Sequence, residues 1–208
     1  MDAPQRVLSS EYMEWAKTRA QARFNLASSG ILPYPTRELD VTLEDIELTG
    51  PSFYGYEPLQ RALAAKCGVS VDSVVAAVGT SLANHLAMAA LVGPGDEIVM
   101  ERPTYEPLLA LARYLGAEVK QFERRSEAAF PIVSEDVSRR VTARTRLIVI
   151  SNLHNPSGAL TGERTLAELG EVARAVGARI LVDEVYLEMV WERGARSALS
   201  VSGTAAGS

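Results

Sequence analysis

Residues 146–186 read RLIVISNLHNPSGALTGERTLAELGEVARAVGARILVDEVY. Arg146–Ile150 is a β-branched run of strand length, and it stops at the turn-forming stretch Asn152–Gly158. Thr161 is placed to cap a helix through Val176, which Gly177 ends. Ile180–Asp183 is a second apolar run that finishes on a carboxylate. Strand, helix, strand is the unit that lays two parallel neighbours into one sheet.

The same alternation continues upstream. Val74–Val78 reads as a buried strand running into Gly79-Thr80-Ser81, and Leu82–Leu91 as a helix closed by Gly93-Pro94-Gly95. Glu97–Met100 and Glu118–Phe122 are further strands, separated by a helix over Glu106–Leu115 that Gly116 ends. Ser134 is placed to cap a helix ending near Val141. Five strands alternating with helices predict an α/β fold: three layers, with a mostly parallel sheet flanked by helices. Before this region lie a helix over residues 57–67, an arm punctuated by Gly30, Pro33, Pro35, Gly50 and Pro51, and an N-terminal helix over 9–23. Within the arm, Thr42 and Asp45 have capping-box spacing for a short helix near Leu43–Glu47. The reading divides the chain into an arm (1–52), an α/β domain (53–193) and an unstructured Ser/Ala/Gly tail (194–208).

Composition bounds the function. The 208 residues are 47% hydrophobic and 23% charged with a formal net charge of −5, which fits a soluble globular protein and gives no electrostatic support to a nucleic-acid partner. The pairs Arg124-Arg125 and Arg139-Arg140 read as water-facing. One cysteine, Cys67, rules out an intramolecular disulfide and fits a cytoplasmic setting. The charged N-terminus is unlike a signal peptide, and no apolar run approaches membrane-spanning length. No His, Cys and carboxylate cluster has metal-ligand spacing.

In an open α/β sheet, ligands bind beyond the carboxyl ends of the strands. The residues delivered there are Gly79, Thr80 and Ser81; Thr104 and Tyr105; Asn155 within its loop; and Asp183 with Tyr186. A glycine turn entering a helix offers free N–H groups to a phosphate, yet is also an ordinary N-cap. Tyr105 could stack on a flat ring or merely pack, and Asp183 could pair with a protonated ring nitrogen or cap the next helix. His85 in the apolar helix reads as a packing histidine, His154 as a loop-geometry residue, and Trp15 and Trp191 as packing residues.

Taken together, the segments are more specific. Asn155-Pro156-Ser157-Gly158 and Asp183-Glu184-Val185-Tyr186 resemble the Asn-Pro-Thr/Ser-Gly and Asp-Glu-x-Tyr motifs of class I/II pyridoxal-phosphate-dependent aminotransferases. Tyr54–Leu59, Gly93–Ile98 and Arg102–Tyr105 are similar to that family's upstream segments, so the resemblance runs from about Asn25 to Trp191. It implies a partial large domain of the aspartate aminotransferase-like fold, with pyridoxal 5'-phosphate as cofactor and an amino acid and a 2-oxo acid as substrates. It also implies a homodimer. Asp183 would hold the pyridine nitrogen protonated, Asn155 and Tyr186 would hydrogen-bond the ring's phenolic oxygen, Tyr105 would stack on the ring, and Gly79, Thr80 and Ser81 would bind the phosphate. The arm at Ser28-Ser29-Gly30 resembles the segment that closes over the substrate, with its glycine displaced by one position.

The resemblance also calls for a Schiff-base lysine after the Asp183 motif, whereas Lys17, Lys66 and Lys120 all precede it. No catalytic residue is therefore assigned, and the 208 residues are expected to be inactive alone. The family's phosphate-binding and carboxylate-binding arginines would likewise fall beyond Ser208. So would two strands that the family's sheet places between Val74–Val78 and the strand ending in Asp183, whose absence predicts a marginal, aggregation-prone fragment. Other readings are a lyase or decarboxylase of the same fold, a regulatory aminotransferase-like domain and a nucleotide-binding domain. The stretch before Asn25 is too short for a regulator's upstream helix-turn-helix, so that reading is expected to fail, and Gly79-Thr80-Ser81-Leu82 is neither a dinucleotide fingerprint nor a phosphate loop.

Overall fold

Backbone pairing in the computed structural model, which describes residues 10–19, 22–25, 33–50, 55–190 and 195–201, joins four strands. They are β1 (Glu97–Arg102), β2 (Glu118–Glu123), β3 (Thr145–Ser151) and β4 (Arg179–Asp183), in the order β2-β1-β3-β4. All neighbours are parallel. A helix bridges each successive pair: α4 (Glu106–Tyr114), α5 (Ser134–Ser138) and α6 (Glu163–Val176). Upstream lie α1 (Glu11–Thr18), α2 (Glu57–Cys67) and α3 (Gly79–Leu91).

Strand alternation sorts the core into two layers. Ile98, Met100, Leu147 and Val149 pack against Met88 of α3 and Leu108 and Ala112 of α4. Val99, Ile148 and Ile150 point the other way, onto Val137 of α5 and Leu166, Leu169 and Ala173 of α6. The central strands are buried on both faces, which is why they read as unbroken apolar runs. Each such aliphatic side chain contributes roughly 1.5–3 kcal/mol by leaving water. On α6 the buried residues Leu166, Leu169, Gly170 and Ala173 recur at helical spacing, and Gly177, with φ of +71°, ends the helix in the left-handed region. The three-layer α/β architecture is thus as the sequence predicts.

Several local expectations differ. Val74–Val78 pairs with no strand among the described residues, and Val75 and Val78 are 78% and 90% exposed. A β-branched run becomes a strand only where a neighbour takes its backbone hydrogen bonds, and none lies beside this one. Among the described residues the sheet therefore has four strands rather than five. Thr161 and Ser134 are not caps: the cap positions fall to Gly162 and Val133. Their hydroxyls serve other elements instead, Thr161 Oγ1 accepting from Arg124 at 3.3 Å and Ser134 Oγ donating to Glu168 at 2.6 Å. Helix α3 starts three residues earlier than predicted, so Thr80 and Ser81 lie inside its first turn. The N-terminal helix spans only Glu11–Thr18, capped by Ser10, and Trp15 on it is exposed. The Thr42–Asp45 capping box is present, around a 3-10 turn at Leu43–Asp45. Residues 195–201, read as unstructured tail, include a turn at Ala198–Ser200 that buries Ala198 and Val201 in the α6-side core. Residues 202–208, Ser28-Ser29-Gly30, Tyr54 and Trp191 lie outside the described residues.

Candidate functional site

The carboxyl ends of β1, β3 and β4 open with the N-terminus of α3 onto one cleft of about 270 Å³. Gly79, Thr80, Ser81 and Tyr105 line it, and so do Asn155, Asp183 and Tyr186. All seven candidates drawn from separate stretches of sequence meet there. Strand termini explain how: Asp183 is the last residue of β4 and pairs in register with Ser151, the last of β3. Gly79 enters α3 with φ of +79°, a conformation glycine adopts without the steric cost a side chain imposes.

Asp183 forms the buried floor, only 7% exposed. Its Oδ1 accepts from the Val185 N–H at 3.2 Å and its Oδ2 from Asn84 Nδ2 at 2.8 Å. Among the described residues no Lys, Arg or His forms an ion pair with it. The sequence hides Asn84, which sits in an apolar run, Leu82-Ala83-Asn84-His85-Leu86. Its signal is a spacing of four from Thr80, which puts both on one face of α3.

Asn155 is held from behind. Its N–H donates to Ser151 Oγ at 2.9 Å, and Ser151 donates through both N–H and Oγ to Glu101 Oε1, each at 2.7 Å. Glu101 Oε2 pairs with Arg124 Nη1 at 2.8 Å, both side chains fully buried. Arg124 also donates to the Phe130 carbonyl at 2.7 Å. The expectation that Arg124 faces water is therefore wrong: its charge is buried against a carboxylate, whereas Arg125 beside it is exposed. Burial pushes the Glu101 carboxyl up, opposed by the hydrogen bonds from Ser151 and Arg124.

His154 joins two loops. Nε2 lies 2.9 Å from the Pro103 carbonyl and Nδ1 2.6 Å from Ser157 Oγ, which fits a neutral ring donating from Nε2. Burial lowers its pKa, assisted by the charge of Arg124. This is the loop-geometry role read from the sequence. His85 packs near the Tyr114 ring. Tyr105 lies under α1, its ring edge-to-face with Tyr12 at 5.8 Å and its hydroxyl 3.6 Å from Met13 Sδ. Burial, with Tyr12 and Tyr186 nearby, raises the Tyr105 pKa, so its phenol stays neutral.

No lysine lines the cleft. Lys17 is exposed on α1, Lys66 pairs with Glu188 at the surface, and Lys120 pairs with Glu97 at 2.8 Å, at the opposite end of β1.

A family model described as aminotransferase class I and II matches residues 40–206. The chain belongs to that family. Among curated relatives, it is 34% identical over 203 residues to capreomycidine synthase of Streptomyces vinaceus, covering 90% of this chain and 51% of the relative. It is 33% identical over 137 residues to arginine–pyruvate transaminase of Pseudomonas aeruginosa, covering 66% of this chain and 35% of the relative. The structure of N-succinyldiaminopimelate aminotransferase from Mycobacterium tuberculosis matches with a TM-score of 0.69 at 29% identity, covering 76% of this chain and 43% of that one. The chain therefore spans about a third to a half of the length of these proteins. The family resemblance and the α/β fold read from the sequence are both correct, and the chain is an enzyme by family. Among the described residues no helix is long and apolar enough to cross a membrane.

Proposed function

We propose that the cleft holds pyridoxal 5'-phosphate and that the full-length parent uses it to transaminate between an amino acid and a 2-oxo acid. Asp183 carries this reading: a buried carboxylate facing a cleft, satisfied among the described residues only by neutral donors, with no described cation paired to it. Buried charges are normally paired, so the missing partner points to a cationic ligand group, which a pyridinium nitrogen supplies. Gly79, Thr80 and Ser81 at the first turn of α3 suit the phosphate. Asn155 and Tyr186 are placed to hydrogen-bond the ring's phenolic oxygen, and Tyr105 to cover a ring face. When bound, the cofactor supplies an electron sink for a carbanion at the substrate's Cα. This chain's residues orient it and keep the ring-nitrogen proton at Asp183. With no lysine in the cleft, the 208 residues alone bind the cofactor without turnover. The single cysteine fits a cytoplasmic setting, and the exposed apolar side chains of residues 39–48 fit association into a homodimer.

One relative favours a second reading: the match covering 90% of this chain is named a synthase, not an aminotransferase. The parent would then be a lyase, decarboxylase or similar enzyme of the same fold. Product analysis on the full-length parent separates the two. Release of a 2-oxo acid matched by amination of the acceptor supports transamination. Carbon dioxide or an elimination product, without amination, overturns it.

A further inference from the structure

Asn84 holds a position the aminotransferase reading does not itself require. It is 7% exposed, lies on α3 four residues after Thr80, and donates to Asp183 Oδ2 at 2.8 Å across 99 residues of sequence. Four residues is just over one helical turn, an advance of about 6 Å. One rigid element thus carries hydroxyl and N–H groups at its first turn and, a turn further in, the group that fixes the carboxylate. The chemistry at position 84 matters as well. An amide carries no charge, so it orients the carboxylate plane without neutralising it. A Lys or Arg there would use up the negative charge, and an aliphatic residue would leave a buried carboxylate oxygen without its donor.

We propose that Asn84 is a positioning residue that makes the cleft discriminate a protonated ring nitrogen from a carbon at the same place. Through Asn84, α3 sets the ring-nitrogen contact relative to the phosphate contact. This rests on the reading of the cleft as a pyridoxal-phosphate site. It adds a determinant of which rings are accepted.

The test compares dissociation constants of the 208-residue chain for pyridoxal 5'-phosphate and for its 1-deaza analogue, which carries CH in place of the ring nitrogen, by equilibrium dialysis at pH 7. The unaltered chain is expected to prefer the natural cofactor by roughly tenfold or more, the scale of one charge-assisted hydrogen bond. Asn84→Leu should cut that preference at least threefold while leaving affinity for the deaza analogue unchanged. A purely structural role would lower both affinities together. Asn84→Ala, which adds no bulk, gives the same readout should the Leu variant not fold. An unchanged preference in a folded variant overturns the proposal. Equal binding of both rings by the unaltered chain overturns it while leaving a phosphate-binding cleft. Binding of neither ring sinks the cofactor reading itself, and this inference with it.

Discussion

At the scale of single residues, Asp183 brings a negative charge to a place water hardly reaches, with two neutral N–H groups on its oxygens. Asp183→Asn keeps the shape and removes the charge. It is expected to weaken pyridoxal 5'-phosphate binding by roughly 10- to 100-fold, the worth of a charge-assisted hydrogen bond, as read by equilibrium dialysis. His154 makes a second prediction. Its folded pKa lies below its unfolded one because burial disfavours the imidazolium, and the guanidinium of Arg124 adds to this. Glu101 Oε2, at 4.0 Å from Nε2, faces the same ring. As pH falls, the unfolded chain takes up the proton first, so stability is full above about pH 6.5 and declines below it. The urea midpoint should drop between pH 7 and 5.5, and His154→Gln should flatten that drop. Glu97, held below the usual carboxylate range chiefly by Lys120, loses its contribution only in a lower window, below about pH 4.5. The seven cleft residues were legible in the sequence because they fall in the turns that follow apolar runs and within recognisable motifs. Asn84 and Arg124 were not. An amide within an apolar helix and an arginine beside another arginine show no local sign of a partner 99 or 23 residues away.

At the scale of elements, α3 carries the site and its entry turn carries α3. A side chain at residue 79 would meet no neighbouring atom, so Gly79→Ala tests the backbone alone. With φ at +79°, the substitution should cost about 1–2 kcal/mol in urea denaturation. The Glu101–Arg124 pair ties β1 to the segment after β2 and, through Ser151, to the Asn155 loop. Arg124→Met leaves the buried Glu101 carboxylate without its cation, held only by Ser151, and should cost about 3–5 kcal/mol, whereas adding Glu101→Leu should recover part of that loss, since it also removes the acceptor of Ser151. A double variant no more stable than the single one would mean that the carboxylate serves Ser151 more than it needs Arg124. Period and composition made the α/β alternation legible, because strands buried on both faces must be apolar throughout. The Val74–Val78 strand and the Ser134 and Thr161 caps misled for one reason. Local propensity says what a segment prefers, whereas a missing neighbour or a distant side chain decides what it does.

At the scale of the whole molecule, β2 and β4 are the edges of the sheet among the described residues. Leu43, Leu48, Val75 and Val78 are exposed at 86%, 95%, 78% and 90%. Open parallel edges and uncovered apolar side chains invite association. The 208-residue chain should therefore self-associate with rising concentration in size-exclusion chromatography with light scattering. A monodisperse monomer that unfolds cooperatively would contradict this. Whether the cleft holds the cofactor is tested most directly by the absorbance of the purified chain with pyridoxal 5'-phosphate, before and after borohydride reduction. Saturable binding is expected, weakened in Asp183→Asn, with no covalent adduct after reduction. An adduct mapped by mass spectrometry to Lys17, Lys66 or Lys120 would contradict it, because a lysine would then reach the cofactor from outside this cleft.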